Sequence, residues 1–182
     1  ITCPAGYMDA ANIKTCVKTL QQWGFQVLIG KTVGSNSNNY FSGTDEERSD
    51  ELQAMLDEPS IKAILCGRGG YGVTRIIDQL NFKAFRKQPK WIIGFSDITV
   101  LHSYLFSKCK IASLHAPMAN AFNKGGAKGP YVQSLHNALK GGSRLELMCL
   151  MILLEWQPVS AKAVVVQLAQ VMQGLRVICN GH

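Results

Sequence analysis

Apolar and polar residues fall into short alternating blocks along the first three quarters of the chain. Ile1 to Cys3 reads as the end of a strand, and Pro4-Ala5-Gly6 breaks it. Asp9 to Trp23 has helical spacing, with Ile13, Cys16, Val17 and Leu20 on one face, and Gly24 stops that helix. Phe25 to Ile29 predicts a short second strand. Gly30 to Gly43, rich in Gly, Ser and Asn, reads as an exposed loop. Thr44 with Glu47 has the pattern of a capping box, and Asp45-Glu46-Glu47 loads the first turn with acid. The helix opened there runs to about Leu56, with Pro59 just beyond.

Ile61 to Cys66 predicts a third strand, apolar on both faces as a covered parallel strand is. Gly67-Arg68-Gly69-Gly70-Tyr71-Gly72 follows directly, then helical spacing from Thr74 to Leu80 and a short helix over Phe82 to Phe85. Trp91 to Phe95 is a fourth strand, Ile98 to Lys108 a helix, Ile111 to Leu114 a fifth strand and Tyr131 to Leu139 a last helix. The alternation predicts an α/β fold: a doubly wound, mostly parallel sheet with helices on both faces. Such sheets bind ligands at the carboxyl ends of their strands, where both the glycine-rich loop and Ser96 fall. Residues 1–122 are read as this α/β domain and 123–142 as a linker and helix. After Gly141-Gly142 the character changes, and 143–182 is read as a tail of different kind. Its Leu145 to Leu154 run is almost wholly apolar but too short to cross a bilayer, and Ala161 to Val177 has no clean period.

Composition narrows the function classes. The 182 residues are enough for one domain with a full core, and the 47% hydrophobic and 17% charged content is that of a globular protein. Net charge is +7, but the basic residues are scattered without interleaved aromatics, which argues against nucleic acid as a partner. The six cysteines, Cys3, Cys16, Cys66, Cys109, Cys149 and Cys179, form no C-x-x-C pair and read as small hydrophobes of a reducing compartment. His102, His115, His136 and His182 have no metal-binding spacing. No metal, cofactor or membrane partner is expected, and no secretory signal is visible; the chain opens without methionine, so its true start is expected to lie upstream.

The chemistry concentrates in Trp91-Ile92-Ile93-Gly94-Phe95-Ser96-Asp97-Ile98. A buried strand ending at a glycine, then a serine, then a helix, is the layout of a nucleophile elbow. Ile98 stands where the G-x-S-x-G pattern has its second glycine, and an ordinary βα turn with a capping serine fits the same residues. Asp97 falls in the first helical turn, where a carboxylate suits the dipole and can cap amides. The loop from Gly67 to Gly72 lacks the G-K-[ST] of a P-loop and the spacing of a dinucleotide fingerprint. It is either a tight turn or a source of main-chain donors for an oxyanion. A serine nucleophile needs a base. His102 lies two turns into the helix, with its ring expected to point away; His115 is the better local candidate; His136 is expected to be exposed; no acid is placed to orient any of them.

Four segments together are distinctive: Tyr40-x-x-Gly43-Thr44-Asp45-Glu46-Glu47-Arg48; Ile64-Leu65-Cys66-Gly67-Arg68-Gly69-Gly70-Tyr71-Gly72; Ile93 to Thr99 with Leu101-His102; and His115-Ala116-Pro117-Met118. In order and spacing they resemble the LD-carboxypeptidase family of serine peptidases, which includes muramoyltetrapeptide carboxypeptidases and microcin-immunity peptidases. The resemblance spans roughly residues 1 to 140. It implies Ser96 as nucleophile and the backbone amides of Gly70 and Asp97 as the oxyanion hole. It further implies a murein tetrapeptide substrate, cut between meso-diaminopimelate and D-alanine, and a cytoplasmic, commonly dimeric enzyme of cell-wall recycling. Ala116 replaces the glycine of the family's His-Gly-Pro motif.

The family's triad is Ser-Glu-His, with Glu and His in a second domain. Nothing from Ser143 to His182 matches that domain, and Glu146, Glu155 and His182 lie in different surroundings, so no partner Glu or His is assigned. The tail is read as a frameshifted version of the second domain: Met172 to Gly181 can be encoded so that another frame reads Ala-Gly-Thr-Pro-Ser-Asp-Met-Gln-Trp. The coding DNA tests this. The expectation is a truncated peptidase with negligible turnover. Its rivals are a non-catalytic α/β module that binds peptidoglycan fragments or a partner subunit, and, more weakly, a phosphate or nucleotide binder using Gly67 to Gly72.

Overall fold

The computed structural model describes residues 1–35, 40–123 and 125–140. The readings of the 143–182 tail, its apolar run and its frameshifted origin therefore lie outside the described residues. The helices are α1 (Lys14–Gln22), α2 (Asp45–Asp57), α3 (Val73–Ile76), α4 (Lys83–Lys87), α5 (Thr99–Tyr104) and α6 (Pro130–Leu139), and the strands are β1 (Ala63–Leu65), β2 (Trp91–Gly94) and β3 (Leu114–His115).

β1, β2 and β3 pair in parallel in that order, with Leu65 opposite Ile93 and Gly94 opposite His115. Thr2 forms a parallel bridge to Cys66 on the outer side of β1, donating from its amide to Leu65 O at 3.2 Å and accepting from Gly67 N at 2.8 Å. Beyond it, Ile1 N donates to Leu28 O at 2.6 Å and Gly30 N donates to Ile1 O at 2.8 Å, the hydrogen-bond pattern of a parallel neighbour. The first two predicted strands thus lie beside β1 at the outer side of the sheet, but Ile1 to Cys3 is reduced to a bridge. Phe25 to Ile29 forms no regular strand, and its Leu28 and Ile29 are 59% and 48% exposed. An outer segment paired on one side, with one face uncovered, lacks the burial that makes the inner strands regular. The chain reverses its direction of winding between Thr2 and β1, which puts beside Cys3 and Cys66 a switch point of the kind at whose crevice open α/β sheets bind ligands.

Strand side chains alternate between two cores. Leu65, Trp91, Ile93 and Leu114 pack with Ile13, Cys16 and Leu20 on one side, joined by Phe122 and by Val132, Leu135 and Leu139 of α6. Ile64 and Ile92 pack on the other side with Leu52, Met55 and Leu56 of α2 and with Ile76, Phe85, Leu101 and Leu105. Helices therefore cover both faces, which is why these strands read as continuous apolar runs. The predicted Asp9-to-Trp23 helix opens with a 3-10 turn over Ala10–Ile13, and the predicted Ile98-to-Lys108 helix passes from 3-10 through α5 to a π turn at Leu105–Cys109. Lys110, at φ +59°, ends it. Cys3, Cys16, Cys66 and Cys109 are unpaired; burial pushes the Cys3 thiol up to about 11 and the Cys16 thiol up to about 12.

Buried polar groups tie these elements together. The Thr44–Glu47 capping box forms as predicted. Arg48 is fully buried; its guanidinium donates to Pro4 O at 2.7 Å and Gly72 O at 3.2 Å, pairs with Asp45, and lies 4.7 Å from the Phe41 ring centroid. One side chain thereby fastens α2 to the end of the first strand segment and to the glycine loop. Glu51 accepts from Thr2 Oγ1 at 2.7 Å and from Thr32 N at 3.0 Å, fixing the start of the Gly30–Gly43 loop. Lys90, 3% exposed, donates to Met55 O at 2.9 Å and Glu58 O at 2.7 Å, satisfying carbonyls at the end of α2. His102 is equally buried. With the ring neutral, as its burial favours, Nε2–H donates to Gly94 O at 2.9 Å and Nδ1 accepts from Ser113 Oγ at 2.7 Å.

Lys90→Met removes the donor to two carbonyls while keeping the volume, and is expected to destabilise the fold by about 1–3 kcal/mol, read from urea midpoints. The His102 pKa lies below the ordinary imidazole value, chiefly through burial; the Gly94 carbonyl opposes the shift and His115 adds to it. The unfolded ring takes up a proton near pH ~6.5 that the folded ring resists. The stability this confers is complete above that pH and declines as pH falls below it. The slope of stability against pH below ~6.5 should be shallower in His102→Gln than in the parent chain, and equal slopes would refute this role.

Candidate active site

β2 delivers the elbow. Its last residue, Gly94, is pressed by Ile98: a Cβ at Gly94 would lie 2.9 Å from both Ile98 Cγ1 and Cγ2. The glycine that this turn requires is therefore the one before the serine, and Ile98 is free to fill the core at 0% exposure. Phe95 is extended, and Ser96 has φ +61°, a left-handed backbone that costs a non-glycine residue on the order of 1–3 kcal/mol. The turn is held by Gly94 O, which accepts from Ala116 N at 3.0 Å as well as from His102, and by Ile98 N, which donates to Phe95 O at 3.3 Å. Ser96 is exposed, and its hydroxyl has no hydrogen-bond partner among the described residues.

The glycine loop closes on this elbow. A Cβ at Gly69 would sit 3.1 Å from Ser96 Cβ and 3.3 Å from its Oγ. Gly70 has φ +104°, and the Tyr40 hydroxyl lies over its Cα, in the space a side chain would occupy. The Asp97 carboxylate accepts from Val73 N at 2.9 Å. It caps the helix that follows the glycine loop, whereas its position in the sequence predicts a cap within its own helix. The physical reason is that Asp97 is the second residue of a 3-10 turn whose cap position is taken by Phe95, so its carboxylate is free to reach across. Among the described residues neither the Gly70 nor the Asp97 amide has an acceptor, and both turns leave main-chain donors beside Ser96.

Both turns line one pocket of about 320 Å³ through Arg68, Gly69, Gly70, Phe95 and Ser96, and the segment after β3 adds Met118, Asn120 and Ala121. Arg68 is exposed and donates from Nη1 to Tyr7 O at 2.9 Å. No carboxylate and no imidazole is among the lining residues. His102 is committed to Gly94 and Ser113, with its ring beneath the elbow, because the turn brings the first helical coil back over the end of β2. His115 is half-buried, 6.1 Å between ring centroids from both Phe95 and His102. His136, expected to be exposed, is half-buried and stacks on Trp23 at 4.0 Å, since the end of α1 packs against α6. His182 lies outside the described residues. Sequence reasoning passed over Arg68 and Tyr40 as site residues. Arg68 carried a signal, a cation inside a glycine loop; Tyr40 opens one of the distinctive segments, but only folding brings it over Gly70.

The family model for the LD-carboxypeptidase N-terminal domain matches residues 1–116. A probable murein peptide carboxypeptidase of Bacillus subtilis is 36% identical over 118 residues, covering 65% of this chain and 37% of that protein. The microcin C7 self-immunity protein MccF of Escherichia coli is 33% identical over 101 residues, covering 56% of this chain and 29% of that protein. The crystal structure of a muramoyltetrapeptide carboxypeptidase from Oxalobacter formigenes superposes with a TM-score of 0.68 at 26% identity, over 76% of this chain and 46% of that one. The chain thus spans less than half the length of these relatives. The family match and the shared fold agree, and this chain belongs to the LD-carboxypeptidase family, whose N-terminal domain it carries.

Proposed function

We propose that residues 1–122 are the nucleophile-bearing unit of a serine LD-carboxypeptidase that removes the terminal D-alanine from murein tetrapeptides during cytoplasmic cell-wall recycling. The observation that carries this reading is the left-handed, exposed Ser96 with a free hydroxyl, set against two turns with unpaired amides. In this reading Ser96 Oγ attacks the carbonyl of the penultimate residue, and the Gly70 and Asp97 amides receive the negative charge that develops on its oxygen. Main-chain donors fixed before reaction lose no reorganisation energy when that charge appears. D-Alanine leaves with a proton, and water cleaves the acyl-enzyme. The proton from Ser96 needs a base, and no described residue of the pocket supplies one. By the family resemblance the base and its orienting acid come from a second domain, and the described residues of the pocket supply neither. Among the described residues no helix is long and apolar enough to cross a membrane.

A second reading has its own support. A pocket without imidazole or carboxylate fits a module that binds a peptide fragment without cutting it. The two readings separate under a serine-directed phosphonate. Nucleophile chemistry predicts slow stoichiometric labelling confined to Ser96 and lost in Ser96→Ala, detected by intact mass; tetrapeptide binding with no labelling favours the binding module.

The Asp97 carboxylate and the Asp97 amide are assigned different work, and mutation distinguishes them. Asp97→Ala keeps the amide but frees Val73 N–H, and should lower stability by about 1 kcal/mol and slow the labelling of Ser96. Asp97→Asn, which retains an acceptor oxygen, should restore most of both. Turnover of a murein tetrapeptide by the 182-residue chain should be negligible, since triad losses in serine peptidases cost several orders of magnitude. Steady hydrolysis that Ser96→Ala abolishes would overturn that expectation.

A further inference from the structure

The pocket beside Ser96 has a pronounced charge asymmetry. Of the residues lining it, Arg68 alone is ionisable. No ion pair is formed by Arg68 among the described residues, and its one hydrogen bond there, from Nη1 to Tyr7 O at 2.9 Å, leaves most of its five donors open. The other arginines packed around the glycine loop are already engaged by a carboxylate: Arg48 pairs with Asp45, and Arg75 Nη2 lies 2.6 Å from the same group. An exposed guanidinium anchored at one nitrogen, in a pocket with no acid, is a prepared partner for an anion on the ligand. Asn120 lines the same pocket and adds an amide group.

We propose that Arg68 anchors the free terminal carboxylate of the peptide and thereby makes the site an exopeptidase site. The inference rests on the peptidase reading and deepens it. In a peptide cut one residue from its end, the terminal carboxylate lies about one residue, roughly 3.5 Å of chain, beyond the bond attacked. Groups lining a single pocket with Ser96 span that interval. A chain that continued past the bond would present a neutral amide to Arg68, exchanging a charge-assisted pair for a weaker contact. Tyr7 O holds the guanidinium on the crevice side of the first strand segment, and Gly6 N donating to Gly69 O at 3.1 Å keeps that segment against the loop. Arg68 is a specificity residue in this assignment, and it takes no part in proton transfer.

The test is calorimetric titration of the full chain carrying Ser96→Ala with two probes: a murein tetrapeptide ending in meso-diaminopimelyl-D-alanine, and the same peptide as its C-terminal amide. The free acid should bind about 10- to 100-fold tighter than the amide. Arg68→Gln should erase that ratio without altering the thermal melt, and Arg68→Lys should keep part of it. If Arg68→Gln does not fold, the ratio in the Arg68 chain still decides, because it must shrink as salt is raised. Equal affinity for acid and amide, or a ratio that persists in Arg68→Gln, overturns the carboxylate anchor and leaves the peptidase reading standing. Absence of binding by either peptide overturns both. A preference for the acid without phosphonate labelling of Ser96 overturns the catalytic reading alone and leaves Arg68 as the anchor of a binding module.

Discussion

Among the described residues one hydrogen bond joins the two turns on which the site depends: the Asp97 carboxylate accepts the amide of Val73 at 2.9 Å. Asp97 belongs to the elbow after β2, and Val73 opens the helix after the glycine loop. Where the two turns meet at the site itself, Gly69 faces Ser96 with no side chain of its own, and packing is left to Val73 and Ile98 in the core below. Close main-chain approach is what leaves amides facing a ligand, and it removes the apolar contacts that usually stabilise neighbouring loops. The bond from Asp97 restores part of that loss with an acceptor that carries charge.

The same problem recurs one layer out, and the solution is again a polar group buried beneath a turn. Gly94 O is held by the His102 ring and by Ala116 N, which sets the end of β2 before the chain enters the strained Ser96 conformation. Arg48 holds Pro4 O and Gly72 O, so the crevice at the switch point and the far end of the glycine loop share one fastener. Each of these groups would be costly to bury alone and is stabilised by hydrogen bonds to carbonyls that the turns leave unpaired. The polar residues of the motifs thus serve the backbone, while the chemistry we propose falls to Ser96, to amides and to the exposed Arg68.

The alternation of strands and helices was legible because both sheet faces are covered. Ile64 and Ile92 point to one core, and Leu65, Ile93 and Leu114 to the other, so the strands needed apolar residues throughout. Ser96 was legible because a strand, a glycine and a helix bracket it. The histidines were not. His102 and His115 both sit near the elbow in sequence, and only the packing of α5 against β2 and β3 turns one of them into a buried support. The outer strands were legible as apolar stretches, but their regularity depended on neighbours that a linear pattern does not contain.

By itself the chain of residues determined the layered α/β fold, the family, and the strand-to-helix turn that carries Ser96. These depend on local periodicity and on residues adjacent in sequence, which backbone sterics and burial act on directly. Tertiary structure alone decided that the Asp97 carboxylate caps a helix other than its own, that Tyr40 covers Gly70, and that Arg68 shares a pocket with Ser96. Those partners are separated by 24 residues or more along the chain. Their meeting is set by how two βα turns close over the carboxyl edge of the sheet, a geometry that the two cores enforce together and that no local segment specifies.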